Sequence, residues 1–473
     1  MPLSRAKYPD RNWRRSASLL AALGAVLAFL PLLAPGAAAQ SKQPSQAETG
    51  EYSDAKAVQL NTEGMQLYQN GKVDEAIAKY REALERLPNF PEALDNLALA
   101  LESKGGDDEA VGDLQKSLSL RPRDAVAYSN LGLAYLHQRK NEDAATAYQK
   151  AIDLRADFPE AYNGLGVALM NSGKTGDAIA AYRRALELRP NYVDAMNNLG
   201  VALQHNHQPD AAIDLYQKAL ALHPKAKDIQ TNLASALREA GRNDEARAAY
   251  ERTVQDYPGD AIAWHQLGQL QFAQGHYEDA VTSFEKTLQI NPKQPDADFS
   301  LASAYYQLGR YPEAAASYEK ELAFHPDDAD ALYGLANANF RQDKFDEAIA
   351  DYQKALAIKP DYADALLSLG SAQASKGDLD AAATSFRKYL QLRPDDAEAH
   401  FNLGNALYNH GDYALAIDAY HDTIRLKPDM ARAHYNLGMA LIGQRDLKAA
   451  KAEFLEANKL DSTLTAPKGV PDK

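Results

Sequence analysis

The stretch Pro159–Tyr192, PEAYNGLGVALMNSGKTGDAIAAYRRALELRPNY, contains two runs with apolar residues at helical spacing. The first is Tyr162–Leu169 and the second is Ala178–Leu186. Between them Asn171–Lys174 supplies turn-forming residues, and Pro190 closes the second run because proline cannot continue a helical hydrogen-bond ladder. The stretch therefore predicts two short amphipathic helices joined by a tight turn.

Two residues of this hairpin are smaller than a helical core usually needs. Gly166 lies in the middle of the first helix and Ala178 near the start of the second. A glycine inside a helix costs about 0.5–1 kcal/mol relative to alanine, so it indicates that another group comes very close. We expect that group to be the backbone of the other helix of the hairpin.

The same pattern returns every 34 residues without a gap from Ala57 to Leu464, which makes twelve units. The small residue of the second helix is alanine in all twelve, namely Ala76, Ala110, Ala144, Ala178, Ala212, Ala246, Ala280, Ala314, Ala348, Ala382, Ala416 and Ala450. One helical turn later an aromatic residue follows in eleven units, with Leu114 as the exception. We number the predicted hairpins one to twelve in chain order.

This period and spacing resemble the tetratricopeptide repeat. The fullest match consists of Trp264, Leu267, Gly268, Ala280, Phe284 and Pro292. The resemblance implies an all-α fold, a right-handed superhelical solenoid of twelve contiguous hairpins whose first helices line a concave groove for peptides or partner proteins. Physics agrees with stacking, because ordering 34 residues costs roughly 1–2 kcal/mol each and one hairpin cannot offset that alone.

The residues before the repeats predict export. Residues 1–39 hold a basic segment, an apolar run and then Ala37–Ala39, which is typical of a signal peptide cleaved after Ala39. An uncleaved anchor formed by Ala17–Leu33 is the alternative. We therefore expect residues 57–464 to be exported and periplasmic, or membrane-anchored and facing the periplasm. Residues 40–56 predict a flexible linker and residues 465–473 a disordered tail.

Composition and architecture exclude several classes of function. The chain has no cysteine, and its net charge of −14 disfavours nucleic acid as a ligand. The repeats leave no room for a catalytic domain, so we expect no enzyme and no cofactor. Two histidine pairs, His205 with His207 and His400 with His434, lack an accompanying carboxylate cluster, and we expect no metal site.

Asparagine recurs at one position that lines the groove in the resembled family. These residues are Asn96, Asn130, Asn198, Asn232, Asn402 and Asn436. A side-chain amide both donates and accepts hydrogen bonds, so a row of them can hold an extended peptide backbone. The row resembles the asparagine ladder in the repeat region of O-linked N-acetylglucosamine transferases, whose catalytic domain this chain lacks. The alternative is that asparagine is simply tolerated on a solvated face.

Aromatic residues replace mostly polar or aliphatic ones at groove positions in the second half of the array. They are Phe272, Phe299, Tyr306, Tyr333, Phe340, Phe401, Tyr408 and Tyr435. Exposed aromatic rings are typical interface anchors. The other interpretation is that these rings pack between successive first helices.

Together these features predict a non-catalytic scaffold that holds a protein or extended peptide in its groove, within a bacterial envelope assembly or secretion complex. Hairpins seven to twelve are the expected site. The alternative is a carbohydrate-binding or peptidoglycan-associated protein that stacks its aromatic rings on sugars. Membrane contact is expected only if the N-terminal segment stays uncleaved.

Overall fold

The computed structural model describes residues 54–467, and these residues form twenty-four α-helices and no strand. Consecutive helices pair into twelve hairpins, so the predicted all-α repeat fold is confirmed. The predicted signal peptide, nearly all of the predicted linker and residues 468–473 of the predicted tail lie outside the described residues.

The chain divides between Pro258 and Gly259 into two compact units. The first unit contains hairpins one to six: α1 Ala55–Gln69, α2 Val73–Arg86, α3 Pro91–Glu102, α4 Asp107–Leu120, α5 Ala125–His137, α6 Asn141–Leu154, α7 Pro159–Asn171, α8 Thr175–Leu188, α9 Val193–His205, α10 Pro209–Leu222, α11 Lys227–Glu239 and α12 Asn243–Asp256.

The second unit contains hairpins seven to twelve. Its helices are α13 Ala261–Ala273, α14 Tyr277–Ile290, α15 Ala297–Gln307, α16 Tyr311–Phe324, α17 Ala329–Phe340, α18 Phe345–Ile358, α19 Ala363–Lys376, α20 Leu379–Leu392, α21 Ala397–His410, α22 Tyr413–Leu426, α23 Ala431–Gly443 and α24 Leu447–Leu460. In each unit the first helices of neighbouring hairpins contact one another more extensively than the second helices do. The first helices therefore form the tighter layer.

The first helix begins two residues before the predicted start of the array. Asp54 caps it, since its carboxylate accepts hydrogen bonds from the backbone N–H groups of Lys56 and Ala57 at 2.9 and 3.1 Å. Asp124 and Asp260 cap α5 and α13 in the same way. A carboxylate at a helix start satisfies otherwise unpaired N–H groups, which fixes where these helices begin.

The close neighbour of the small first-helix residues is an aromatic ring. A Cβ added to Gly64 would lie 2.6 Å from Cε1 of Tyr80, and one added to Gly166 would overlap the ring of Tyr182. The expectation of a backbone neighbour is therefore wrong for these glycines. The recurring aromatic residue of the second helix extends across the hairpin and packs on the glycine. This single contact explains both the glycine of the first helix and the aromatic residue of the second.

Hairpin three has a cavity where a recurring core residue is missing. Ala145 occupies the position held by Ile77, Val111 and Ile179 in other hairpins. A surface cavity of about 960 Å³ lies beside it. Its apolar lining includes Tyr128, Leu131, Tyr135, Ala147, Leu165 and Leu169.

We expect Ala145→Ile to stabilise the array by about 1–2 kcal/mol, because three added carbon atoms would cover apolar surface that now faces the cavity. Urea unfolding measures the effect. The matched control is Ala180→Ile on the exposed face of α8, where the same change gains no burial. An Ala145→Ile protein no more stable than the Ala180→Ile protein would contradict this account of the cavity.

Candidate functional site

The predicted asparagines lie on first helices, and several pair with a second asparagine of the preceding hairpin. Asn96 Nδ2 donates to Asn61 Oδ1 at 3.0 Å. Asn198 Nδ2 donates in the same way to Asn163 Oδ1 at 3.0 Å. These bonds join neighbouring first helices, so the amides connect hairpins as well as line the face between them.

Two further pairs extend this pattern. Asn232 Nδ2 donates to Asn197 Oδ1 at 2.9 Å, and Asn436 Nδ2 donates to Asn405 Oδ1 at 2.7 Å. Asn61, Asn163, Asn197 and Asn405 were absent from the predicted site. For the first three pairs the signal in the sequence is a second asparagine 35 residues before the first, one more than the repeat length.

The six predicted asparagines differ in exposure. Asn130 and Asn198 are buried, whereas Asn96, Asn232, Asn402 and Asn436 are half-buried. The carbonyl oxygen of Asn130 has no hydrogen-bond partner within the described residues. Since each Nδ2 carries two hydrogens, the donating asparagine of each pair still has one N–H donor and its own carbonyl oxygen for another group. Peptide binding by this row stays a prediction.

Two of the predicted aromatic residues lie in the hairpin core. Phe299 is 3% exposed and packs edge-on against Tyr318, with ring centroids 5.5 Å apart. Tyr333 is 2% exposed and lies between Tyr352 and Tyr362, at 5.9 and 5.0 Å. This packing favours the interpretation that these two rings support the first helices from inside.

The other predicted rings are half-buried, and four of them form aromatic pairs with the first residue of the following helix. The pairs are Phe272 with Tyr277 at 5.3 Å, Tyr306 with Tyr311 at 5.2 Å, Phe340 with Phe345 at 5.7 Å and Tyr408 with Tyr413 at 5.6 Å. They lie where the two helices of hairpins seven, eight, nine and eleven meet. Phe401 and Tyr435 instead pack on the second-helix rings Tyr420 and Phe454.

Hairpin two has two carboxylates at the positions of the aromatic pairs. Glu102 is 7% exposed, and its Oε1 has no hydrogen-bond partner among the described residues. Burial raises the pKa of Glu102 to about 8, and the neighbouring charge of Asp107 contributes. This pair was not identified from the sequence. The sequence does contain a signal for it, because two positions that are aromatic in hairpins seven, eight, nine and eleven are acidic in hairpin two.

Two of the four histidines predicted not to bind metal, His400 and His434, contact other groups. His434 Nε2 lies 3.1 Å from the carbonyl oxygen of Pro428, and its Nδ1 lies 2.6 Å from Glu453. His400 Nε2 lies 2.9 Å from the carbonyl oxygen of Pro394. Both occupy the packing position that Trp264 holds in hairpin seven. His205 is exposed at the end of α9, and His207 is exposed in the turn that follows.

One exposed group in the described part of the chain, Asp380, His410 and Asp412, brings three side chains with metal-ligating atoms together. His410 Nε2 lies 3.2 Å from Asp380 and its Nδ1 lies 3.0 Å from Asp412. One repeat earlier, Lys376 bridges Asp346 and Asp378 at 2.8 and 3.2 Å. His410 thus occupies the position of an ion-pairing lysine one repeat earlier. Its contacts with the two aspartates are therefore explained without a metal ion.

Within residues 54–467, no helix has both the length and the apolarity required to cross a bilayer.

The repeats match family models built from known proteins. Tetratricopeptide repeat models match residues 104–162, 129–193, 163–227, 333–397 and 401–463, and these matches cover more than half of the chain. Further repeat models match residues 64–105 and 203–270. The model of the cytochrome c-type biogenesis protein H TPR domain matches residues 249–364. A search of curated proteins found no match.

Solved structures with similar regions include three repeat proteins. MamA is 29% identical over 37% of this chain and 97% of its own, with a TM-score of 0.32. TTC0263, a thermophilic TPR protein in Thermus thermophilus, is 25% identical over 38% and 98%, with a TM-score of 0.34. YrrB, a TPR protein with an unusual peptide-binding site, is 24% identical over 39% and 95%, with a TM-score of 0.35. On the family models and the twelve hairpins, the chain belongs to the tetratricopeptide repeat family, whose arrays serve as scaffolds for protein–protein interaction.

Proposed function

We propose that this chain is a non-catalytic scaffold that holds a protein or extended peptide along its first helices. The observation that carries the proposal is the row of half-buried rings at hairpins seven, eight, nine and eleven. Each ring is already held by a partner ring, so little side-chain entropy is lost when a ligand covers it. Half-buried aromatic side chains are typical interface anchors.

The asparagine pairs also lie on first helices, three pairs in the first unit and one in the second. Each pair leaves amide groups that can exchange hydrogen bonds with a peptide backbone, and backbone bonds do not depend on the partner's sequence. At the rings of the second unit, binding would depend on the apolar side chains of the partner.

The proposed setting is an assembly or secretion complex of a bacterial envelope. Its support is the predicted signal peptide in residues 1–39 and the match to a TPR domain described for cytochrome c-type biogenesis. We propose that the array works in the periplasm after cleavage at Ala39. Every described residue belongs to the repeats, their caps or the short segment after the last helix, which supports a role without catalysis.

The test is a pull-down from envelope extract with the chain starting at Gln40, compared with the same chain carrying Tyr306→Leu, Phe340→Leu and Tyr408→Leu. Phe299 and Tyr333 are left intact because substitution of buried rings would damage the core. We expect the triple substitution to lower partner recovery at least tenfold, because it removes three aromatic anchors. A tenfold loss corresponds to about 1.4 kcal/mol of binding free energy.

The control removes apolar surface from second helices of the same unit, through Phe324→Leu, Ile358→Ala and Leu392→Ala. These side chains are exposed by 54%, 43% and 43%. Equal recovery with the test and control proteins would contradict a site on the first helices. If no protein is recovered and a glycan array shows binding that the test substitutions abolish, the carbohydrate alternative replaces this proposal.

A further inference from the structure

In hairpins seven, eight, nine and eleven, the residue near the end of the first helix and the first residue of the second helix form an aromatic pair. Glu102 and Asp107 occupy these same two positions in hairpin two. A pair of rings can exclude water on its own, whereas two neighbouring carboxylates can both be ionised only at a high cost, which protonation of one of them or a counter-charge removes.

The described part of the chain supplies no counter-charge to Glu102. No lysine or arginine of residues 54–467 forms an ion pair with Glu102 at 4.0 Å or less, and its Oε1 is buried without a hydrogen bond. Asp95, a second acid of α3, also has one buried oxygen without a hydrogen bond, but Arg121 Nη2 lies 2.5 Å from its other oxygen and supplies a counter-charge. A nine-tenths buried carboxylate without such a partner is unusual and costly.

The groups around Glu102 come from several helices. Burial raises the pKa of the hydroxyls of Tyr68 of α1 and Tyr148 of α6, and the charge of nearby Glu102 adds to this. Asp107 of α4 adds a second negative charge. His137 of α5 lies 3.4 Å from Asp107 through Nδ1, and it is the one basic group that the described residues bring to this pair. The Asp107 side chain is 25% exposed, so the pair opens to solvent on that side.

We infer that Glu102 and Asp107 form an acidic subsite that takes a lysine or arginine side chain of the bound partner. The inference deepens the proposed function and rests on it. An ammonium or guanidinium group would enter past the exposed edge of Asp107 and donate hydrogen bonds to both carboxylates, including the unpartnered Oε1. A metal ion fits less well, since Glu102, Asp107 and His137 do not converge as a three-ligand group.

The subsite has a proton signature. In the free protein burial keeps Glu102 largely protonated at pH 7, since its pKa is raised to about 8. A bound cation favours the ionised carboxylate, so binding releases a proton. Affinity for a basic side chain should therefore rise by up to about tenfold per pH unit between roughly pH 6 and 8.

The experiment uses the full chain from Gln40 and immobilised pentapeptides Ala-Ala-X-Ala-Ala, where X is lysine, arginine, glutamine or norleucine. We expect at least about fivefold more bound protein on lysine and arginine than on norleucine, increasing from about pH 6 to pH 8. Glu102→Gln and Asp107→Asn should each reduce this preference below about twofold, and Glu102→Gln should remove its dependence on pH.

The matched control is Asp108→Asn, which removes an equal charge from the neighbouring exposed residue. It should keep the preference and the pH dependence. Circular dichroism checks the fold of each variant, and Glu102→Gln should unfold at higher urea concentration than the unchanged chain at about pH 8. Equal effects of Asp108→Asn and Glu102→Gln, or no binding to any pentapeptide, would overturn the subsite. A protein partner recovered equally by the unchanged chain and by Glu102→Gln would also overturn it while leaving the proposed function intact.

Discussion

Gly164→Ala is expected to destabilise the array by about 3 kcal/mol, a large effect for a single added methyl group. The added Cβ would overlap Cζ and Cε1 of Tyr148 and lie 2.8 Å from Cε2. The ring cannot move away, because Gly132 lies close to its other side. A Cβ added to Gly132 would be only 2.9 Å from Cδ2 of Tyr148. Tyr148 is thus held between a glycine of its own hairpin and a glycine of the next.

Urea unfolding and hydrogen exchange of α6 and α7 measure this effect. Gly176→Ala in the same hairpin is the matched control, because no described atom lies within 4 Å of its added Cβ, and we expect it to leave stability unchanged or raise it by less than about 1 kcal/mol. Combining Gly164→Ala with Tyr148→Leu should cost less than the sum of the single changes. Additive costs would show that the ring is not the cause.

The second large effect is a loss of stability in acid that depends on His265. This side chain is 6% exposed, its Nε2 lies 3.4 Å from Ser300 Oγ, and its ring packs edge-on against Phe284 at 5.6 Å. Burial lowers the pKa of His265 to about 4, and the charge of Asp296 opposes this only in part. The folded state therefore favours the neutral ring.

The sign follows from proton binding. Between pH 6.5, the usual histidine pKa, and pH 4, the unfolded chain binds a proton that the folded chain does not. This contribution to stability is complete above pH 6.5 and is lost as the pH falls toward 4, by about 3 kcal/mol in total. The second unit should lose most of it by about pH 4.5.

Unfolding of the unchanged chain and of His265→Gln at about pH 7 and 4.5 isolates this contribution, because other groups titrate equally in both. On going from about pH 7 to about pH 4.5, the free energy of unfolding of the unchanged chain should fall by about 2 kcal/mol more than that of His265→Gln. His207→Gln, at an exposed turn position, should show no such shift. An NMR titration of His265 with a pKa near 6.5 would refute the argument.

The repeat pattern alone was enough to predict the fold. A fixed period of 34 residues and an invariant small residue such as Ala178 specify hairpins, because only one arrangement places that residue at the same contact twelve times. The pattern could not identify which atoms fill the space beside Gly166. Spacing gives the face of a helix, whereas the reach of the Tyr182 ring across the hairpin depends on side-chain conformation.

The candidate site was less predictable for a similar reason. Periodicity located the row of asparagines, but the bond from Asn198 to Asn163 depends on a one-residue offset between neighbouring helices. Burial separated Phe299 from Tyr306, although both are aromatic residues at groove positions. Glu102 escaped notice because a polar residue near a helix end looks solvated until its neighbours are known.

We propose that a partner lies along the first helices. Photo-crosslinking tests this placement, with p-benzoylphenylalanine at Gln307, exposed at the end of first helix α15, or at Gln353, exposed on second helix α18. We predict a partner crosslink in envelope extract from Gln307 and none from Gln353. A crosslink from Gln353 alone would contradict the claim and place the partner on the second helices.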